Sequence, residues 1–123
     1  MATILPPEGN HFISLTQAKE MTALYRAQKE NILAPEYQDK DILLICETFT
    51  RDAFDALLAE SDAAGIRIYF GMNTQLQVRV IAVAVNEKGQ DILPDEKNAD
   101  AAGGDKIVEE GQTCPPVCPV PPL

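Results

Sequence analysis

Ile66-Arg-Ile-Tyr-Phe-Gly-Met-Asn-Thr-Gln-Leu-Gln-Val-Arg-Val-Ile-Ala-Val-Ala-Val85 is the stretch that decides the fold. Ile66, Ile68 and Phe70 alternate with Arg67 and Tyr69, which is the period of a strand. Gly71 to Thr74 reads as a turn. A second strand is expected over 75–85. In its first half Leu76, Val78 and Val80 face one way, and Gln77 and Arg79 the other. From Val80 to Val85 every residue is apolar, so both faces of the strand need cover. Asn86 to Gly89 reads as another turn, and 90–93 as a short third strand ended by Pro94.

Upstream, the spacing predicts two helices. Ser14 and Gln17 stand in capping-box relation, opening a helix over about 15–33 that Pro35 stops. Ala18, Met21, Tyr25 and Ile32 form its apolar stripe, interrupted by Gln28. Ile42 to Cys46 is a short apolar segment, strand or buried loop. Thr50 is the expected N-cap of the second helix, with Asp52 in the first turn and Phe49 and Phe54 at staple positions. Phe54, Leu57 and Leu58 are its expected buried stripe, and Gly65 its stop.

Helices followed by strands argue an α+β fold: two N-terminal helices packed on an antiparallel three-stranded meander. The expected organisation is an irregular lead-in (1–13), a single α+β domain (14–93) and an irregular tail (94–123), acidic and then Cys/Pro-rich. Two short helices cover only one face of the sheet. A second copy of the chain is one candidate for the other face. Val80, Ile81, Val83 and Val85 are therefore the self-association candidates, and a homo-oligomer is expected.

Charge and composition exclude some functions. The 123 residues carry 10 Lys plus Arg against 19 Asp plus Glu, a net charge of −9. Such a balance opposes contact with nucleic-acid phosphates or an anionic membrane surface. Hydrophobic content of 46% is too high for a wholly disordered chain. No run approaches the ~20 apolar residues of a membrane span, and no leader pattern opens the sequence, so a cytoplasmic setting is expected.

Taken in order, Lys40-Asp-Ile-Leu43, Cys46-Glu-Thr-Phe49, Ile68-Tyr-Phe-Gly-Met72, Ala84-Val-Asn86, Gly89-Gln-Asp-Ile-Leu93 and Cys114-Pro-Pro-Val-Cys-Pro119 resemble a family of small bacterial proteins of unassigned function. The resemblance runs from about Ser14 onward. It implies a bacterial cytosolic setting and a shared fold, and carries over no functional residue.

The chemistry-bearing residues are few. Three cysteines without an export signal argue against a structural disulfide framework. Cys114 and Cys118 form C-x3-C in the proline-rich tail, which holds neither the C-x2-C metal spacing nor the C-x-x-C redox motif. The pair reads as two ordinary thiols, or as a thiol or metal site joined by Cys46 or His11. Pro116-x-x-Pro119 has the minimal spacing for an aromatic-groove partner, though on an acidic flank. Cys46 with His11 could make a nucleophile and base, but its apolar neighbours suggest a buried thiol. Asp52, Asp55 and Glu60 read as a solvated helix face. Arg67, Tyr69, Gln77 and Arg79 could present a polar sheet face to an anionic ligand or partner, or simply face water.

No convergent catalytic set emerges. The expected function is a non-enzymatic interaction or structural protein that self-associates through its sheet. The alternative is a thiol-redox or metal-binding module built on Cys114 and Cys118, with a metal there as the single cofactor considered.

Overall fold

The computed structural model describes residues 5–6, 11–94 and 106–123. In chain order the elements are α1 (Leu15–Gln28), a 3-10 turn (Pro35–Tyr37), β1 (Cys46–Thr48), α2 (Arg51–Leu58), β2 (Gly65–Met72), β3 (Val78–Val85), β4 (Ile107–Val108) and β5 (Gln112–Cys114). The fold is α+β, with an antiparallel three-stranded sheet ordered β2–β3–β4 and a two-stranded sheet β1–β5. The chain divides into two compact units. One joins Met1–Glu8, Phe49–Gly71 and Val80–Gly111; the other joins Gly9–Thr48, Met72–Arg79 and Gln112–Leu123. Much of the lead-in expected over 1–13, and the acidic stretch 95–105, lie outside the described residues.

In the first unit, α2 packs its one buried side chain, Leu57, against Ala82 and Ala84 of β3. Phe54, Ala63, Ile66, Ile92 and Val108 surround this cluster. Phe49 and Phe54 meet as the staple, with ring centroids 5.8 Å apart. Leu58 is 51% exposed, so the stripe is narrower than the sequence suggested. Thr50 caps by backbone position, and its hydroxyl makes no capping bond. The helix ends at Leu58, well before Gly65. Gly65 instead opens β2 where space is short: a Cβ there would stand 3.3 Å from Leu5 Cδ1 and 3.5 Å from Val85 Cγ2.

The third strand is not the expected 90–93. The open edge of β3 is shared between two segments. Ile92 N donates to Ala84 O, and Val85 bridges Asp91, so 90–92 pairs only with the end of β3. Farther along, Val108 lies opposite Ala82 and Ile107 opposite Val83. Strand β4 therefore comes from the segment expected to be a tail. Ala82, Val83, Ala84 and Val85 are buried. On the face carrying Ala82 and Ala84 the cover is the chain's own α2, Ile92 and Val108.

Two loops share one construction that the sequence reading missed. In Asn73-Thr-Gln-Leu-Gln77 the Asn73 Oδ1 accepts from the backbone N–H groups of Gln75 and Gln77, and its Nδ2 donates to Gln77 Oε1. In Asn86-Glu-Lys-Gly-Gln90 the Asn86 Oδ1 accepts from Lys88 and Gln90, and its Nδ2 donates to Gln90 Oε1. Both need a left-handed residue fourth. Gly89 supplies it at φ 74°, whereas Leu76 takes it at φ 65°. A β-carbon is disfavoured in that region by ~1–2 kcal/mol. Leu76→Gly is therefore expected to stabilise the chain by about 0.5–1 kcal/mol in urea titration, after the greater unfolded-state entropy of glycine is set against the relieved strain.

In the second unit, α1 opens with both capping-box bonds at 3.0 Å, Ser14 with Gln17. It ends at Gln28, five residues short of the expected 33. Residues 29–33 continue as turns, and Ala34 is extended (ψ 149°) because proline follows it. The predicted stripe is present but not buried: Met21 is 66% and Ile32 72% exposed, and α1 buries no residue. Ile42 is buried, and its carbonyl accepts from Val78 N at 2.8 Å. No helix among the described residues is long and apolar enough to cross a membrane.

Candidate functional site

The chemistry-bearing groups of the second unit converge on the β1–β5 pair. Thr113 and Cys114 precede Pro115, which favours extended backbone before it and removes the next pairing N–H. The strand therefore stops at Cys114. Its register sets Cys46 opposite Cys114, Glu47 opposite Thr113 and Thr48 opposite Gln112. Ile45 N donates to Cys114 O at 2.8 Å, fixing the backbone beside the pair.

Beyond Cys114 the chain turns back. Thr113 Oγ1 donates to Pro115 O at 3.0 Å, and Val117 N donates to Thr113 O at 3.1 Å. This turn returns Cys118 to Cys114, and the two are joined by a disulfide with a Cα–Cα distance of 4.8 Å. The expectation of two ordinary tail thiols, and of no disulfide, is corrected here. The spacing rule failed because proline chemistry folds four residues into a closed turn, which counting cysteines does not reveal. Cys114 is 1% exposed, whereas Cys118 is open to solvent. Cys46 is free and half-buried.

A mainly apolar cleft of about 340 Å³ runs beside Cys46, lined by Met21, Tyr25, Arg26, Ile45 and residues of the terminal Pro119–Leu123 segment. That segment is held on α1 by Thr22 Oγ1 and Arg26 Nη1, which donate to Leu123 O at 2.8 and 2.6 Å. Tyr25 OH donates to Leu44 O at 2.7 Å, and burial raises the phenol's pKa. Glu47, next to Cys46, alternates to the other face of β1. There it accepts from Arg79 Nε and Nη2 at 3.2 and 3.4 Å, with 4% of its side chain exposed.

The remaining candidates are dispersed. His11 is exposed, and no group of three or more His, Cys, Asp or Glu side chains able to hold a metal ion occurs among the described residues. The expected polar face divides by partner. Arg67 and Tyr69 both donate to the carboxylate of Asp91, which the sequence reading did not single out. The bond to Asp91 is the first cause of the raised pKa of each. Gln77 pairs with Asn73, and Arg79 with Glu47. Each of the four side chains is thus engaged by a neighbouring side chain of the same chain. Of the acidic residues on and after α2, Asp55 pairs with Arg51 and Glu60 with Lys106. Val83 and Val85 are buried, and Val80 and Ile81 half-buried.

Comparison with protein-family models, with curated proteins and with solved structures returns no match.

Proposed function

We propose that the chain is a thiol–disulfide exchange module whose working bond is Cys114–Cys118. The observation that carries this reading is the disulfide's asymmetry: one sulfur buried in a strand pair, the other exposed on a turn. A bridge with a sequence separation of four closes a very short loop. Constraining so short a loop removes little unfolded-state entropy, roughly 2 kcal/mol against nearly 5 for a loop of about 100 residues. Stabilisation is thus a weak reason for the bond, and chemistry a better one.

The exposed Cys118 Sγ is the atom an incoming thiolate can reach. A dithiol of the dithiothreitol class attacks it, forming a mixed disulfide as the Cys114–Cys118 bond breaks. The electron pair passes to Cys114, which takes up a proton. The second thiol of the reductant then displaces Cys118, leaving two protein thiols and one oxidised dithiol.

Self-association through the sheet is the other reading. It has less support, because Val83 and Val85 are already buried within the single chain.

Titration of the native chain with reduced and oxidised dithiothreitol, followed by alkylation and mass measurement, tests the proposal. The alkylated cysteine count is expected to move reversibly between one and three, with a fixed count in the double variant Cys46→Ser with Cys118→Ser. A disulfide that native conditions leave unreduced, or a chain with three free thiols after air oxidation, overturns the reading.

A further inference from the structure

The chain has three cysteines, and the one left free is the strand partner of a disulfide-bonded one. We propose that Cys46 is an internal exchange partner: its thiolate displaces Cys118 from Cys114, giving a Cys46–Cys114 disulfide across β1–β5 and an exposed Cys118 thiol. This inference rests on the reading that the Cys114–Cys118 bond is exchangeable.

Register carries the argument. Directly opposed residues of an antiparallel pair have Cα atoms about 4.5–5.5 Å apart and side chains on one face. Disulfides span Cα separations of about 4.4–6.8 Å. The two bonding arrangements, Cys114 with Cys118 and Cys114 with Cys46, are thus both within reach of one backbone. The backbone at β1 is held from two sides, by Ile45 N on Cys114 O and by the Glu47–Arg79 pair on the opposite face. The attacking sulfur is not sealed in, since Cys46 lines the cleft between Ile45 and α1.

The step balances without an outside oxidant or reductant. The Cys46 Sγ–Cys114 Sγ bond forms and the Cys114 Sγ–Cys118 Sγ bond breaks. The electron pair leaves on Cys118, which takes up the proton that Cys46 released. Water stabilises the departing thiolate at the exposed Cys118. The product moves the free thiol from a half-buried strand to the surface of the proline-rich turn. There it can attack disulfide-bearing molecules too bulky for the cleft.

Two measurements on the full chain test this. The first is rapid alkylation of the unreduced protein with N-ethylmaleimide, followed by disulfide peptide mapping. The label is expected on Cys118 as well as Cys46, with the Cys118 share falling at least tenfold in Cys46→Ser. The second is oxidation of Cys118→Ser with oxidised dithiothreitol, which is expected to yield a Cys46–Cys114 disulfide in monomeric protein. Label confined to Cys46, with two free thiols persisting in oxidised Cys118→Ser, overturns the inference while reversible reduction of Cys114–Cys118 leaves the exchange reading standing. Failure of dithiothreitol to open Cys114–Cys118 in the native chain overturns both.

Discussion

Leu57→Ala is expected to destabilise the chain by about 3–4 kcal/mol, among the largest effects of any single truncation in it. Leu57 is 0% exposed and sits at the centre of the cluster formed with Ala82 and Ala84. Its two main neighbours on β3 are alanines, whose side chains are too short to move into the vacated volume. The loss therefore combines the transfer free energy of the removed carbons with the cost of a persistent cavity. The chain has no tryptophan, so the unfolding transition is followed by far-UV circular dichroism in urea. Leu58→Ala is the internal control. That neighbour on the same helix is half exposed, and its truncation is expected to cost under about 1 kcal/mol. Equal costs at the two positions would show that α2 does not bury Leu57 selectively against β3.

Arg79→Met is expected to cost about 3 kcal/mol. The substitution keeps much of the aliphatic stem but removes the guanidinium from Glu47, whose side chain is only 4% exposed. Stripping one partner from a desolvated ion pair leaves the other charge in a poor dielectric environment. Arg51→Ala, which breaks the solvent-exposed Arg51–Asp55 pair, is the contrast and should cost no more than about 0.5 kcal/mol. The double variant Arg79→Met with Glu47→Gln should recover part of the loss, because the buried carboxylate charge is then removed together with the guanidinium. Thermal melts of the four proteins decide it. A loss at Arg79 no larger than that at Arg51 would mean that the Glu47 carboxylate keeps water in the folded chain.

Local features were legible because local chemistry makes them. The Ser14–Gln17 capping box spans one helical turn, and the Phe49–Phe54 staple one helix start. The alternation of Ile66 to Phe70 and the apolar run of Val80 to Val85 placed β2 and β3. Misreadings arose where the outcome depended on residues far apart. The spacing of Met21 and Ile32 marks a helix and a turn beyond it, but spacing does not say whether anything lies over them, and both are exposed. Asp91 holds Arg67 and Tyr69 from more than twenty positions away, so nothing near any of the three announces the contact. The cysteine site shows the same division. The tail pair was visible as a motif, but its meaning depends on Cys46, 68 positions before Cys114 and brought opposite it by strand register.

By itself, the sequence determined the class of the fold, the positions of both helix starts and both long strands, and the acidic charge balance. These follow from capping, periodicity and composition, each set within a few residues or summed over all of them. Tertiary structure alone decided that Ile107–Val108 flanks β3, that the C-terminal turn closes on a disulfide, and that a free thiol faces that disulfide. The physical reason is that strand pairing is bought from any segment able to offer backbone hydrogen bonds and matching apolar side chains. Such partners are chosen by the energy of the whole folded chain, with no mark of the choice in either segment.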